Sequence, residues 1–184
     1  MSVAKLAARA VIGGLFIGHG TQKLMGWFGG SGMPGTEAMM GSLGMHPPRR
    51  NALAAGATES AGGALLLLGL ATPLASAGLI GVMTTAIRKV HLPNGPWVSN
   101  GGWEYNAVLI AALTLLAEQG PGPVSLDRVL GTQRSGVGWG LGALALGVVA
   151  STATIEVGRR SAPPAPVVDE SSGAAGAGED TRSS

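Results

Sequence analysis

The chain has 184 residues and a formal net charge of +2, with 46% hydrophobic and only 12% charged residues. That charged share, against roughly 25% in ordinary soluble domains, is too small to cover the surface of a soluble protein of this size. The scattered basic residues exclude a nucleic-acid surface, and the lack of cysteine excludes disulfides, thiolate metal sites and thiol catalysis within this chain.

The first apolar segment covers residues 3–24. Lys5 and Arg9 precede the run 10–18, as in a secretion signal. No small-residue cleavage site follows, and the run continues into His19-Gly20-Thr21-Gln22-Lys23. The segment therefore reads as a retained first helix. Residues 25–50 are rich in Gly and Pro and read as a long loop. Within it, the run 26–32 lacks the strand and helix context of a nucleotide-binding loop and reads as a tight turn.

A second span is predicted over 51–70 and a third over 73–90. Pro73 stands at the start of the third, where a missing N–H costs nothing. Residues 91–103 contain Pro93, Asn94-Gly95, Pro96 and Gly101-Gly102 and read as turns. The fourth span, 104–118, is short and is stopped by Gly120-Pro121-Gly122-Pro123. A fifth apolar segment lies at 137–154. From 161 onward the chain is rich in Pro, Ser and Gly, lacks apolar mass, and reads as a disordered tail. With about 20 residues needed per crossing, the expectation is an all-α, polytopic membrane helical bundle. Its parts are a four-helix core over 1–130, a fifth transmembrane helix within 131–158, and a tail over 159–184.

Successive spans alternate in direction, so the polar residues gather at one end. His19, Gln22 and Lys23 close the first span, on one helical face by their i, i+3, i+4 spacing. Arg88, Lys89 and His91 close the third. Glu104, Tyr105 and Asn106 open the fourth. Asp127, in the loop at the other end, reads as a wet and inexpensive charge.

Glu59 is the sharpest single signal. It lies eight residues into the second span, about 12 Å of helix rise. An ionisable group at that depth usually marks a site. Its neighbours Ala55, Gly56, Gly62 and Gly63 are small and let another helix approach, so Glu59 should face the bundle interior. Lys23 and Arg88 are its candidate partners, in a functional pair or in one that only orders the bundle. His19 and His91 suit hydrogen bonding or proton transfer better than a metal or haem, since nothing in the spacing shows them converging. No metal is expected. Trp27, Phe28, Trp97, Trp103 and Tyr105 flank span ends and read as an interfacial aromatic belt. The alternative is that some line a pocket for a flat ligand such as a quinone.

At these residues the chain resembles the DoxX family of small bacterial membrane proteins. The likeness rests on His19-Gly20-Thr21-Gln22-Lys23-Leu24 with Gly26-Trp27-Phe28-Gly29-Gly30, Glu59 with Gly62-Gly63, and Thr72-Pro73-Leu74-Ala75. It continues through Met83, Ala86, His91, Glu104-Tyr105-Asn106 and the run 120–127. It covers about residues 6–130 and implies a four-helix core. It also implies a multi-pass protein of the bacterial inner (plasma) membrane, in redox complexes linked to quinone or to oxidative-stress defence. The fifth segment and the tail depart from that pattern.

The expectation is therefore a membrane subunit of a redox complex, with a quinone as its candidate cofactor and a soluble redox or thiol-handling protein as its candidate partner. Self-association into a homo-oligomer is left open, and whether the chain is itself an enzyme is not fixed. Glu59 and His19 are the candidate proton carriers. Gln22, Lys23, Arg88, His91, Glu104 and Tyr105 are the candidate binding residues. A small-solute transporter or channel, or a scaffold that recruits soluble redox partners, are the alternatives. Basic residues do not settle orientation: if Lys23, Arg88 and Lys89 are spent in the cluster, the two ends nearly tie.

Overall fold

The computed structural model describes residues 3–164. Among them are seven α-helices and no strand: α1 Val3–Met25, α2 Gly32–Ser42, α3 Pro48–Leu68, α4 Thr72–Ala86, α5 Glu104–Gln119, α6 Leu126–Leu130 and α7 Val137–Arg160. The all-α bundle predicted from hydropathy is what forms. The expected tail lies outside the described residues from 165 onward, and Arg159 and Arg160 still belong to α7.

Five long helices, α1, α3, α4, α5 and α7, run up and down. The α1 helix packs most closely on α3. The α4 helix packs on α3, α5 and α7, and α7 also rests on α5. The fifth apolar segment is thus part of the bundle.

Two cross-links fix which ends lie together. The His46 amide donates to the Gly158 carbonyl (3.3 Å), joining the end of α7 to the start of α3. Lys5 Nζ donates to the Gln119 carbonyl (2.9 Å), joining the start of α1 to the end of α5.

Glycine makes the α1–α3 contact possible. A Cβ on Gly13 would lie 2.7 Å from the Gly63 carbonyl oxygen, and one on Gly20 would lie 2.6 Å from that of Gly56. The pairs are seven residues apart on each helix, so one face of α1 seats against one face of α3 along two turns. Small residues serve membrane helices in this way, because close backbone approach replaces the hydrophobic drive.

Polar side chains are buried among apolar ones, and large apolar side chains face outward. Asn51, Glu59, Thr72, Ser76, Asn106 and Ser151 are buried, while Val11, Leu15, Val108, Leu115, Leu141 and Val149 are exposed. Hydrocarbon suits such a surface. By length and composition, α1 and α7 are each long and apolar enough to cross a membrane.

Three local features differ from the sequence reading. Residues 25–50 do not form one loop: α2 occupies Gly32–Ser42 despite its Gly and Pro content. Thr36 fastens it to the end of α1, with Oγ1 3.1 Å from the Lys23 carbonyl oxygen. The third span ends as a π turn, Ile87–His91.

The third difference is at the other end of the bundle. Asp127 is not a wet loop charge but is 2% exposed. Its carboxylate accepts from the Ala71 and Thr72 amides (3.1 and 3.4 Å) and from Thr132 Oγ1 (2.8 Å). It thereby caps the start of α4, where Ala71 is held at φ 48°. Arg9, also 2% exposed, donates to the carbonyls of Leu66, Leu67, Pro121 and Val124 at 2.6–2.9 Å. It ties the end of α3 to the loop after α5. Gly69, at φ 67°, ends α3, and a Cβ there would lie 2.6 Å from the Arg9 guanidinium carbon.

Candidate functional site

The α1–α3 seam brings together the two strongest sequence signals. Glu59 lies on α3 one turn before Gly62 and Gly63, so the side of α3 that meets α1 and α4 carries it inward. Lys23 lies in the last turn of α1. Their charges meet: Lys23 Nζ is 2.6 Å from Glu59 Oε2. Glu59 is 2% exposed and Lys23 24%. The carboxylate is inside the bundle and the ammonium stands at its edge, so the pair connects the interior with the end of the molecule. Among the described residues the other carboxylate oxygen, Oε1, accepts no hydrogen bond. A buried carboxylate with one cation and a spare acceptor can take up a proton or accept a donor from a ligand.

The layer around the pair draws on α4 and α5. Leu79 of α4 packs on Gly62. One turn towards the Lys23 end stand Glu59 on α3 and Met83 on the antiparallel α4. The buried Asn106 of α5 donates through Nδ2 to Met83 Sδ (3.4 Å). In the sequence Asn106 counts among the polar residues that open the fourth span, but not among the candidate site residues. Its burial at this level could have been read from its i, i+3, i+7 register with Leu109 and Leu113, which are also buried.

The other expected residues share this end of the bundle but do not join the pair. Arg88 does not pair with Glu59; its Nη1 donates to Thr152 Oγ1 on α7 (3.0 Å). His91 Nδ1 lies 2.7 Å from the Gly101 carbonyl oxygen, and Glu104 Oε1 accepts the Val98 amide (2.6 Å). Those two side chains therefore shape the loop between α4 and α5. Gln22 Nε2 donates to the Phe28 carbonyl (3.3 Å), holding the turn after α1. His19 and Tyr105 are exposed, and His19 faces outward from α1, apart from His91. Trp27, Phe28 and Trp97 are exposed at the same end, where an aromatic belt would lie. Among the described residues, no three His, Cys, Asp or Glu side chains gather as a metal site would require.

A family model described as DoxX matches residues 4–92. The match runs from α1 through the π turn after α4 and includes both members of the ion pair. It stops short of Glu104, Tyr105 and Asn106, which the resemblance had included. No curated protein and no solved structure matches the chain. DoxX is a family of membrane proteins, in keeping with the large apolar side chains on the exterior. Across residues 4–92, which hold the Lys23–Glu59 pair, this chain matches the DoxX family.

Proposed function

We propose that the chain is a multi-pass subunit of a redox complex in the bacterial inner membrane, with the Lys23–Glu59 pair as its working centre. The observation that carries this reading is the pair itself: a carboxylate 2% exposed, 2.6 Å from an ammonium that reaches the molecule's edge. Removing one charge from such a pair leaves the other stranded in a low-dielectric interior. A proton arriving on Glu59 frees Lys23, and a ligand anion that takes Lys23 frees Glu59. Coupling of that kind suits a site where proton movement accompanies electron transfer.

The redox partner is a quinone or a soluble thiol-handling protein. The chain has no cysteine, so any thiol chemistry belongs to the partner. His19, outward on α1 one turn before Lys23, would meet such a partner from the side of the bundle. Gln22, Arg88, His91, Glu104 and Tyr105 form the rim at the same end.

Exposed charge supports an orientation. Lys23 is spent on Glu59 and Arg9 is buried at the far end. That leaves Arg49, Arg50, Arg88, Lys89, Arg159 and Arg160 at the pair's end, against Lys5, Arg128 and Arg134 at the other. The positive-inside rule then turns the pair towards the cytoplasm.

The test is complementation of a strain lacking its own copy, challenged with peroxide and with a thiol oxidant. The account expects wild type to restore survival and Glu59→Gln to fail at equal membrane abundance. Glu59→Gln restoring survival fully would sink it. Loss of solute uptake by Glu59→Gln proteoliposomes, with survival intact, would transfer the site to a transporter.

A further inference from the structure

A groove of about 780 Å³ runs along the outer side of α5, beside the face that α5 buries. Ile87, Leu92 and Trp103 form one end, and Ile110, Leu115 and Leu144 line its length. Thr114, also in the wall, turns its hydroxyl back to the Ile110 carbonyl (2.8 Å) and offers no polar group. Glu118 marks the far end, 15 residues beyond Trp103 and so about 22 Å away along the helix. The volume is in the range of small-ligand sites, about 300–1,000 Å³. The groove's length of about 22 Å suits one extended hydrocarbon chain laid along α5.

The charge at its Trp103 end selects the head group of that chain. Ile87 and Leu92 bracket the π turn that carries Arg88, Lys89 and His91. Arg88 donates only to the Thr152 hydroxyl, and Lys89 has no partner among the described residues. The nearby acids are engaged elsewhere. Glu104 holds the Val98 amide, and Glu156 is gripped by Arg159 and Arg160 at 2.8 and 2.6 Å. An apolar groove thus ends beside a turn whose cations no carboxylate of the described residues neutralises.

We propose that this groove is a site for an anionic phospholipid, with an acyl chain along α5 and its phosphate at Arg88 and Lys89. Basic residues at a membrane surface favour anionic lipids by about five-fold each, so two give about 30-fold. The inference rests on the reading that the bundle lies in a bilayer.

The test uses Trp103 as its own reporter. A full-length protein carrying Trp27→Phe, Trp97→Phe and Trp139→Phe keeps only Trp103. It is reconstituted with phosphatidylglycerol or phosphatidylcholine brominated on the acyl chains. Half-maximal quenching is expected at about 30-fold lower mole fraction of the anionic lipid. Arg88→Gln with Lys89→Gln should bring the two lipids to parity, and Ala111→Phe, which fills the groove wall, should weaken quenching by both. Equal quenching in the unsubstituted groove, or a preference that survives loss of both charges, would overturn the lipid site while leaving the membrane reading intact. Quenching unaffected by Ala111→Phe would overturn the groove as its location. Protein that carbonate strips from the vesicles would instead defeat the membrane reading itself.

Discussion

Replacing Asp127 with alanine tests whether the far end of the bundle is held as the structure implies. The carboxylate accepts from the Ala71 amide at 3.1 Å, the Thr72 amide at 3.4 Å and Thr132 Oγ1 at 2.8 Å. The 3.4 Å contact is too long to add much. The other two are hydrogen bonds to a charged group, each contributing about 1.5–3 kcal/mol when buried, and losing them also removes the cap of α4. Ala71 at φ 48° then lacks the grip that holds it there. Arg9 keeps its four carbonyl partners but loses the nearby negative charge of Asp127, which adds to the cost. The expected loss is about 3–6 kcal/mol for Asp127→Ala. Asp127→Asn should lose about half as much, because it keeps one acceptor. Unfolding midpoints in mild-detergent micelles, by helical circular dichroism against added denaturing detergent, measure both. The control is Glu37→Gln, which removes only the exposed pair with Arg49 and should change stability by less than about 1 kcal/mol. If Asp127→Ala is no worse than that control, the buried anchor is wrong.

Three further outcomes follow from the same packing. Lys23→Met strands the Glu59 carboxylate and should cost about 3–5 kcal/mol, and adding Glu59→Gln to it should recover most of that loss in a double-mutant cycle; additive losses would mean that the two side chains are uncoupled. Gly63→Leu forces α1 away from α3, since even its Cβ would meet the Gly13 carbonyl oxygen at 2.6 Å. It should lose about 3 kcal/mol or fail to accumulate, whereas Gly14→Ala, whose Cβ meets nothing within 4 Å, should be neutral. Because the chain has no cysteine, single cysteines at His46 and Val98 can be labelled cleanly; both should react with an impermeant thiol reagent from one side, and Gln133→Cys from the other. Labelling of His46→Cys and Val98→Cys from opposite sides would break the shared polar end.

The ion pair was legible in the sequence because its signal is local. Glu59 has small residues one turn either side, and Lys23 closes an apolar helix. Burial follows from helical periodicity, which left Lys23 and Arg88 both open as partners; the structure pairs Lys23 and sends Arg88 to Thr152. The Arg9 and Asp127 anchor was not legible for the opposite reason. It joins α1, residues 66–72 and residues 121–132, and nothing in any one segment announces the other two. Arg9 also looked like the charged start of a signal, and Asp127 like any loop carboxylate. The helix α2 was hidden by composition: its first turn holds Gly32, Pro34 and Gly35, and only docking through Thr36 onto α1 and through Glu37 onto Arg49 of α3 shows why it forms. His91 and Glu104 looked like site residues by type and depth. In the structure their hydrogen bonds go to Gly101 and Val98, in a turn whose geometry side-chain chemistry alone does not reveal.

The central claim is that the Lys23–Glu59 pair works in the membrane and is not merely a strut. The doubly substituted protein, Lys23→Met with Glu59→Gln, separates the two. It removes both charges together, so no stranded ion destabilises the bundle. The decisive measurement is survival of the complemented strain under oxidant, with the double variant's membrane abundance and unfolding midpoint measured alongside. The account predicts a protein as abundant and nearly as stable as wild type that restores no survival. A double variant that is stable and fully protective would contradict it, and would make the pair a structural feature of the α1–α3 seam.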